Sequence, residues 1–337
     1  MKNRMELCVK ILLILFSISS PACSQIYKRA TKVPERSFLL YIEDVDGQDG
    51  IYAGNFGEIV CLDIENRKKS ILTKDNFFDE YANILSDNRS IVFQSKRKLQ
   101  GEIGDGLGIS NKLYVINIES GNAKMLDISK FSTFAYSKES YIPINCPAVA
   151  HYSDKMAFTA ECLLDEKSRL YIYDFNSGKL NVLIPNRTTF TVQKVVWSDN
   201  DSIIAFNKGN NSIRLYIVDK AVIDSITEPD YTIDLGDIRH DTLVYCAKDW
   251  VTKNNFIYLV DLKTKSKKTI FADTTQSDLT SPCFGEDGII YFIKVTDNKV
   301  RDGYYPQDIF SYNIVTGQIL QITLDGNAKK DLKWNKR

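Results

Sequence analysis

Read for alternation of apolar and polar positions, the chain repeats itself. A short alternating strand ending in Asp or Asn occurs at Ile59-Val-Cys-Leu-Asp63, Leu113-Tyr-Val-Ile-Asn117, Leu170-Tyr-Ile-Tyr-Asp174, Leu215-Tyr-Ile-Val-Asp219, Ile257-Tyr-Leu-Val-Asp261 and Ile309-Phe-Ser-Tyr-Asn313. Side chains of a strand point alternately to opposite faces, so each segment is a β-strand rather than a turn of helix. Successive anchors lie 42 to 57 residues apart, a period that belongs to propeller blades or another array of small β units.

The residues around each anchor complete the unit. Glu119-Ser-Gly-Asn122, Asn176-Ser-Gly-Lys179 and Val315-Thr-Gly-Gln318 follow their anchors, and Gly supplies the positive φ of a tight hairpin. Before the anchors stand pairs of apolar strands around a polar, mostly Asp-containing turn. The plainest is Val195-Val-Trp197-Ser-Asp-Asn-Asp-Ser-Ile-Ile-Ala-Phe206, with counterparts at Ile84 to Phe93, Pro147 to Phe158 and Pro282 to Phe292. Two hairpins per repeat make four strands. The final repeat stops after a first strand, Leu332-Lys-Trp334, and the missing second strand stands at the other end as Ser37-Phe-Leu-Leu-Tyr41. The expectation is therefore an all-β, six-bladed propeller of four-stranded antiparallel blades, its ring closed by pairing of N-terminal and C-terminal strands so that no edge stays open.

This pattern resembles the TolB-type β-propeller repeats, degenerate WD-repeat-like blades in which a Trp-Ser-Pro-Asp-Gly hairpin precedes a Tyr-x-x-Asp strand. The resemblance covers residues 34–337, and no blade has the complete Ser-Pro-Asp-Gly. It implies the fold more than a function. TolB itself carries a separate domain before its propeller, and here a blade strand follows almost directly, so a Tol-Pal role is not expected.

The first 33 residues read differently. A basic start, the apolar run Ile11-Leu-Leu-Ile-Leu-Phe-Ser-Ile-Ser19 and Ser20-Pro-Ala-Cys23 are the three parts of a secretory signal. The apolar run is shorter than the roughly 20 residues a membrane span needs. Ser20 to Cys23 resembles the lipobox of bacterial lipoproteins, in a loose form familiar in Bacteroidota, which implies that Cys23 is lipidated and becomes the mature N-terminus. The organisation expected is a signal peptide over 1–22, a lipid-anchored tether over 23–33 and the propeller over 34–337, on a membrane surface facing periplasm or cell exterior. A soluble exported protein, cut after Ala22 or Ser24, is the alternative.

Composition removes some partners. Lys and Arg total 43 and Asp and Glu 43, with two His, so no excess of positive charge exists to neutralise phosphates and a nucleic-acid partner is not expected. Loss of the signal leaves the chain about two units negative, with Lys2, Arg4, Lys10 and Glu6 removed.

Candidate chemistry is sparse. The longest connections, Glu43 to Glu58, Lys96 to Asn111, Ile128 to Asn145 and Thr296 to Gln307, fall on one face of the ring by strand order. Phe131, Phe134, Tyr136, Tyr141, Tyr304 and Tyr305 on two of them are either a platform for a sugar or peptide or anchors that pin a loop. Asp44, Asp46 and Asp49 resemble a weak Ca²⁺ loop, though their spacing departs from Asp-x-Asp-x-Asp and a solvated turn is favoured. Otherwise no cofactor is expected. Gly101, Gly104, Gly106 and Gly108 lack the lysine and strand-to-helix context of a phosphate loop. His151 and His240 fall in turns of different blades, which leaves little material for metal or triad chemistry. Cys146 and Cys162 flank one hairpin and are either a disulfide or buried thiols. The sequence thus favours a non-catalytic envelope module binding a protein or glycan of unknown identity, with a propeller hydrolase or lyase acting at the channel mouth as the alternative.

Overall fold

The computed structural model describes residues 37–45, 57–74, 77–95, 112–118, 122–126, 144–162, 167–183, 194–207, 209–220, 222–300 and 305–335. In chain order the strands are β1 (Phe38–Glu43), β2 (Glu58–Asp63) and β3 (Lys68–Ile71); β4 (Asp79–Ile84), β5 (Ser90–Ser95), β6 (Lys112–Asn117) and β7 (Ala123–Met125); β8 (Ile144–Val149), β9 (Lys155–Cys162), β10 (Lys167–Asp174) and β11 (Lys179–Val182); β12 (Val195–Trp197), β13 (Ile203–Asn207), β14 (Ser212–Ile217) and β15 (Val222–Thr227); β16 (Tyr231–Arg239), β17 (Thr242–Asp249), β18 (Asn255–Asp261) and β19 (Lys267–Asp273); and β20 (Leu279–Phe284), β21 (Ile289–Val295), β22 (Gln307–Asn313), β23 (Ile319–Gln321) and β24 (Lys329–Asn335). They form six four-stranded antiparallel sheets. Blade 1 is β24-β1-β2-β3, and blades 2 to 6 take the next twenty strands four at a time.

Ring closure follows the expectation from the chain ends. β24 pairs with β1 from Phe38 opposite Asn335 to Glu43 opposite Lys329. The six inner strands β24, β4, β8, β12, β16 and β20 then surround the axis.

The alternation of β1 shows why its six residues are all buried. Phe38, Leu40 and Ile42 pack with Ile91, Phe93 and Tyr114 of blade 2, whereas Leu39 and Tyr41 pack with Cys283, Tyr291, Ile293 and Ile309 of blade 6. Each blade therefore presents two apolar faces, one to each neighbour. The described core divides into six clusters that fill the six gaps between blades.

The Asp or Asn anchor has a local cause. At the end of the third strand of four blades its side chain accepts backbone N–H groups of the following turn: Asp63 from Asn66 (3.0 Å), Asp174 from Ser177 (2.8 Å), Asp261 from Lys263 and Thr264 (2.8 Å each) and Asn313 from Val315 and Thr316 (2.9 Å each). Those bonds hold the carboxyl groups of Asp174 and Asp261 below their usual range. Gly178 and Gly317 complete two of these turns at φ 64° and 73°.

Polar side chains also join each blade to the next. Asp331 of blade 1 accepts the Tyr81 N–H of blade 2 (3.1 Å), and Asn83 Nδ2 donates to the Pro147 carbonyl of blade 3 (2.8 Å). Trp197 Nε1 of blade 4 donates to the Ala148 carbonyl of blade 3 (3.0 Å), and Asn207 Nδ2 to the Ile233 carbonyl of blade 5 (3.3 Å). Asp237 of blade 5 accepts Phe284 N–H (3.2 Å), and Gln307 of blade 6 accepts Lys329 N–H (2.7 Å).

The closing seam is further pinned by a buried charge network. Lys69 Nζ contacts Glu43 Oε1 at 2.7 Å and also Asp325; Lys329 Nζ contacts Asp325 and the carbonyls of Gln307 (3.0 Å) and Asn327 (2.9 Å). Burial opposes the charge of Asp325, but Lys329 and Lys69 outweigh it and hold that carboxyl below its usual value. Burial likewise opposes the Lys69 ammonium, but Glu43 and Asp325 hold its pKa above 10.5. The Asp325 contribution is thus present above the ordinary carboxylate pKa and lost as pH falls through the lower folded value. The Lys69 contribution is present below 10.5 and lost as pH rises through the higher folded value. Asp325→Asn should lower stability by about 3 kcal/mol at pH 7, because it leaves Lys329 and Lys69 short of a counter-charge. Urea midpoints of variant and wild type should converge as pH falls below 3, and equal destabilisation at both pH values would remove the ionic explanation.

Candidate functional site

Strand polarity sorts the connections onto two ends of the ring. The β1–β2, β5–β6, β7–β8 and β21–β22 connections open at the same end, as strand order implies, and β17–β18 and β23–β24 open there too. Of the six aromatics singled out, Tyr305 is exposed on this long-loop face. Phe131, Phe134, Tyr136, Tyr141 and Tyr304 lie outside the described residues, as do Cys23, Asp46 and Asp49. Asp44 is buried, and its N–H donates to the Ala328 carbonyl (3.0 Å), which ties it to the closing seam. Among the described residues no three His, Cys, Asp or Glu side chains gather to hold a metal ion.

Trp250, Val251, Val300 and Leu324 are not singled out by pattern. These are exposed by 46%, 85%, 56% and 76%, on connections of blades 5 and 6 at the same end as Tyr305. Trp250 is held upright by its Nε1, which donates to Thr232 Oγ1 (2.7 Å). The signal was present as two large apolar residues in a five-residue turn, Trp250 to Asn254, that length alone did not single out.

The channel is the second candidate. Inner strands carry a register shift where the backbone leaves the regular pleat: β4 between Glu80 and Asn83, β8 between Asn145 and Ala148, β16 between Leu235 and Asp237, β20 between Thr280 and Cys283, and β24 opposite Leu40 and Ile42. Tyr81, Cys146, Ser281 and Asp331 stand there with φ of 50° to 57°. A bulge re-aims the side chains around it. Residues of different blades thereby come within electrostatic reach of one another about the axis: Lys194, Asp234, Asp237, Asp331, Lys333, Tyr81 and Cys146.

Burial pushes the carboxyl of Asp234 up, against the opposing charge of Lys194 and the Ser281 N–H that it accepts. Burial also raises Asp237, against His151, Arg239 and the Phe284 N–H. His151 belongs to the hairpin turn of blade 3 and Asp237 to blade 5, so ring closure brings together groups that the sequence keeps apart. His240 lies instead on an exposed turn, 3.6 Å from Asp199. Arg239 closes the hairpin end: its guanidinium stands 4.7 Å from the Trp334 ring centre and 5.4 Å from that of Phe284, and Nη2 donates to the Phe284 carbonyl (3.1 Å).

Comparisons with known proteins fall on the fold. No family model matches the chain, and no curated protein matches its sequence. TolB from Acinetobacter baumannii has a TM-score of 0.62 at 9% identity, over 89% of this chain and 66% of that one. The chain thus spans slightly less than two thirds of that TolB. A chain of the nidogen/laminin complex gives 0.59 at 8% identity over 88% and 98%, and an oligogalacturonate lyase in complex with manganese gives 0.52 at 12% over 84% and 78%. The likeness is to propellers, TolB among them. A propeller so shared by a TolB, a nidogen/laminin complex and a lyase leaves function to its own residues.

The disulfide alternative is corrected. Cys146 is a buried thiol outside any disulfide, as are Cys61, Cys246 and Cys283. In the β8–β9 register Asn145 faces Thr159 and Ile144 faces Ala160, which sets Cys162 beyond the start of β8 rather than opposite Cys146. Burial pushes the Cys146 thiol up to about 12, against a hydrogen bond from Tyr81. At pH 8 these four cysteines should resist iodoacetamide in the native protein and react in 6 M guanidinium, read by peptide mass spectrometry. Rapid labelling of native Cys146 would contradict its buried placement.

Proposed function

We propose that the chain is an exported, lipid-anchored protein of the cell envelope whose propeller serves as a non-catalytic binding or scaffold module for an envelope protein or glycan. The observation that carries this reading is the exposure of Trp250, Val251, Val300, Tyr305 and Leu324 on connections at the long-loop end of neighbouring blades 5 and 6. Aromatic and aliphatic side chains exposed together mark contact surfaces, and a closed ring presents them in fixed positions. The polarity of β1 adds an orientation. Its first residue, Phe38, lies at the hairpin end, since Glu43 leads into the long β1–β2 connection. A lipid on Cys23 with the short tether that follows turns the hairpin end toward the membrane and the long-loop face outward. The carboxylates of the channel support binding rather than turnover, because Asp234, Asp237 and Asp331 each accept a backbone N–H of the neighbouring blade.

A second reading has its own observation. The charges of Arg239 and of His151, from blade 3, act on buried Asp237 toward the hairpin end of the channel, and such a set of titratable groups is of the kind a hydrolase or lyase of saccharide or peptide uses.

Crosslinking in the native envelope should capture a partner, and Trp250→Ala with Tyr305→Ala should cut that capture at least ten-fold without changing Tm. Undiminished capture, both by this variant and by chains with the 128–145 and 296–307 loops trimmed, would overturn the face assignment. Mass spectrometry of the mature N-terminus should find acylated Cys23. An unmodified Cys23 or a start at Gln25 contradicts the anchor. Turnover of an envelope glycan or peptide, abolished by Asp237→Asn, would favour the second reading over the first.

A further inference from the structure

Lys194 is the least explained charge in the described structure. It is 6% exposed, and no protein group accepts a hydrogen bond from its Nζ. Its backbone is fixed, because its carbonyl accepts the Asn207 N–H (3.3 Å) at the head of β12. Its charge acts on Asp234 of blade 5, on Cys146 of blade 3, on Cys283 of blade 6 and on Lys333 of blade 1. A group on blade 4 that acts on these four blades lies near the axis, and its place before β12 puts it toward the long-loop mouth. An ammonium so enclosed loses its hydration with no hydrogen bond in return, and the attraction of Asp234 offsets only part of a cost of several kcal/mol.

Lys333 stands deeper on the same axis. Its Nζ donates to Asn83 Oδ1 of blade 2, and Asp331, Lys194, Asp237 and Cys146 act on it from blades 1, 4, 5 and 3. Two ammonium groups therefore share the channel, one of them without an acceptor. Their repulsion is relieved by an acceptor lying between them.

We propose that the channel binds a carboxylate group, received by the Lys194 ammonium near the long-loop mouth and shared with Lys333 below it. The class of anion follows from the surrounding charge. Asp331 and Asp234 stand near the two lysines, and Asp237 near Arg239. A phosphate dianion brings a second negative charge against these carboxylates, whereas a monocarboxylate brings one. The ligand is then a carboxylate-bearing small molecule or chain end that enters from the long-loop face. The inference is separate from the partner surface around Trp250, and its test reads the channel alone.

The test uses the full chain with sodium acetate as probe, sodium chloride at equal ionic strength as control and inorganic phosphate as competitor. Acetate should raise Tm saturably and give saturation-transfer signals at its methyl group, and both should vanish in Lys194→Met and weaken at least ten-fold in Lys333→Gln. Lys194→Met, freed of an unpaired ammonium, should melt no lower than wild type without acetate, so its loss of response is not a loss of fold. Burial lowers Lys333 to about 8 against the opposing effect of Asp331, so acetate affinity should fall as pH rises from 7 to 9 and Lys333 deprotonates. Absence of saturable acetate binding, equal binding by Lys194→Met, or phosphate competing as strongly as acetate itself would overturn the proposal.

Discussion

The pairing of β1 with β24 is the constraint on which the rest depends. It joins residues almost three hundred positions apart and turns an array of blades into a ring. Without it β1 and β24 would each expose an unpaired edge. The gap between blades 1 and 6 would also lose the odd-numbered face of β1, with Leu39 and Tyr41 facing solvent instead of Tyr291 and Ile309. The buried ions at this seam make sense in the same terms. Lys69, Glu43, Asp325 and Lys329 come from both ends of the chain, and they are in register only when the strands are paired. Burying such charges contributes little net stability, but misregister leaves each of them unpaired, so the network selects one closure over its slipped alternatives.

Closure also creates the channel. A central axis exists only when every inner strand has two neighbours, and groups distant in sequence then meet across it. The bulges decide what the axis contains. Regular pleating directs side chains into the gaps between blades, where they are apolar. The left-handed residues Tyr81, Cys146, Ser281 and Asp331 interrupt that alternation on four of the inner strands. Some of the groups re-aimed there serve the ring itself: Asp331 and Asp234 each hold a backbone N–H of the next blade. Lys194 has no such use, and that difference separates a structural charge from one available to a ligand.

Fold and site were legible to different degrees because they rest on different distances. The period-two alternation and the anchor residues are local, and an Asp that caps its own turn, as Asp174 does, leaves a mark within four residues. The complementary chain ends gave closure, since a lone first strand and a lone second strand require each other. The channel left no such mark. Lys194 reads as an ordinary charge before an apolar strand, and His151 as a turn residue, until the ring places them beside groups two blades away. Cys146 and Cys162 left two readings open because the register of their hairpin is not written in sequence. They are symmetric about Asp154 in sequence, but the β8–β9 hairpin pairs Val149 with Met156 and so centres between Tyr152 and Ser153, and symmetry in sequence is not opposition in space.

The two candidate surfaces are physically different kinds of site. The long-loop face offers apolar area at the rim of blades 5 and 6, which binds by excluding water and tolerates variation in its partner. The channel offers buried charge, where a single unmatched ammonium is costly enough to discriminate sharply among ligands. A rigid ring allows both, because the clips between blades keep the inner strands in place while the outer connections vary. The seam network beside Lys329 opens toward the same end as the apolar rim. Both candidate surfaces therefore lie toward one end of the ring, the apolar one on the connections of blades 5 and 6 and the charged one ahead of β12, and strand polarity alone sets that arrangement.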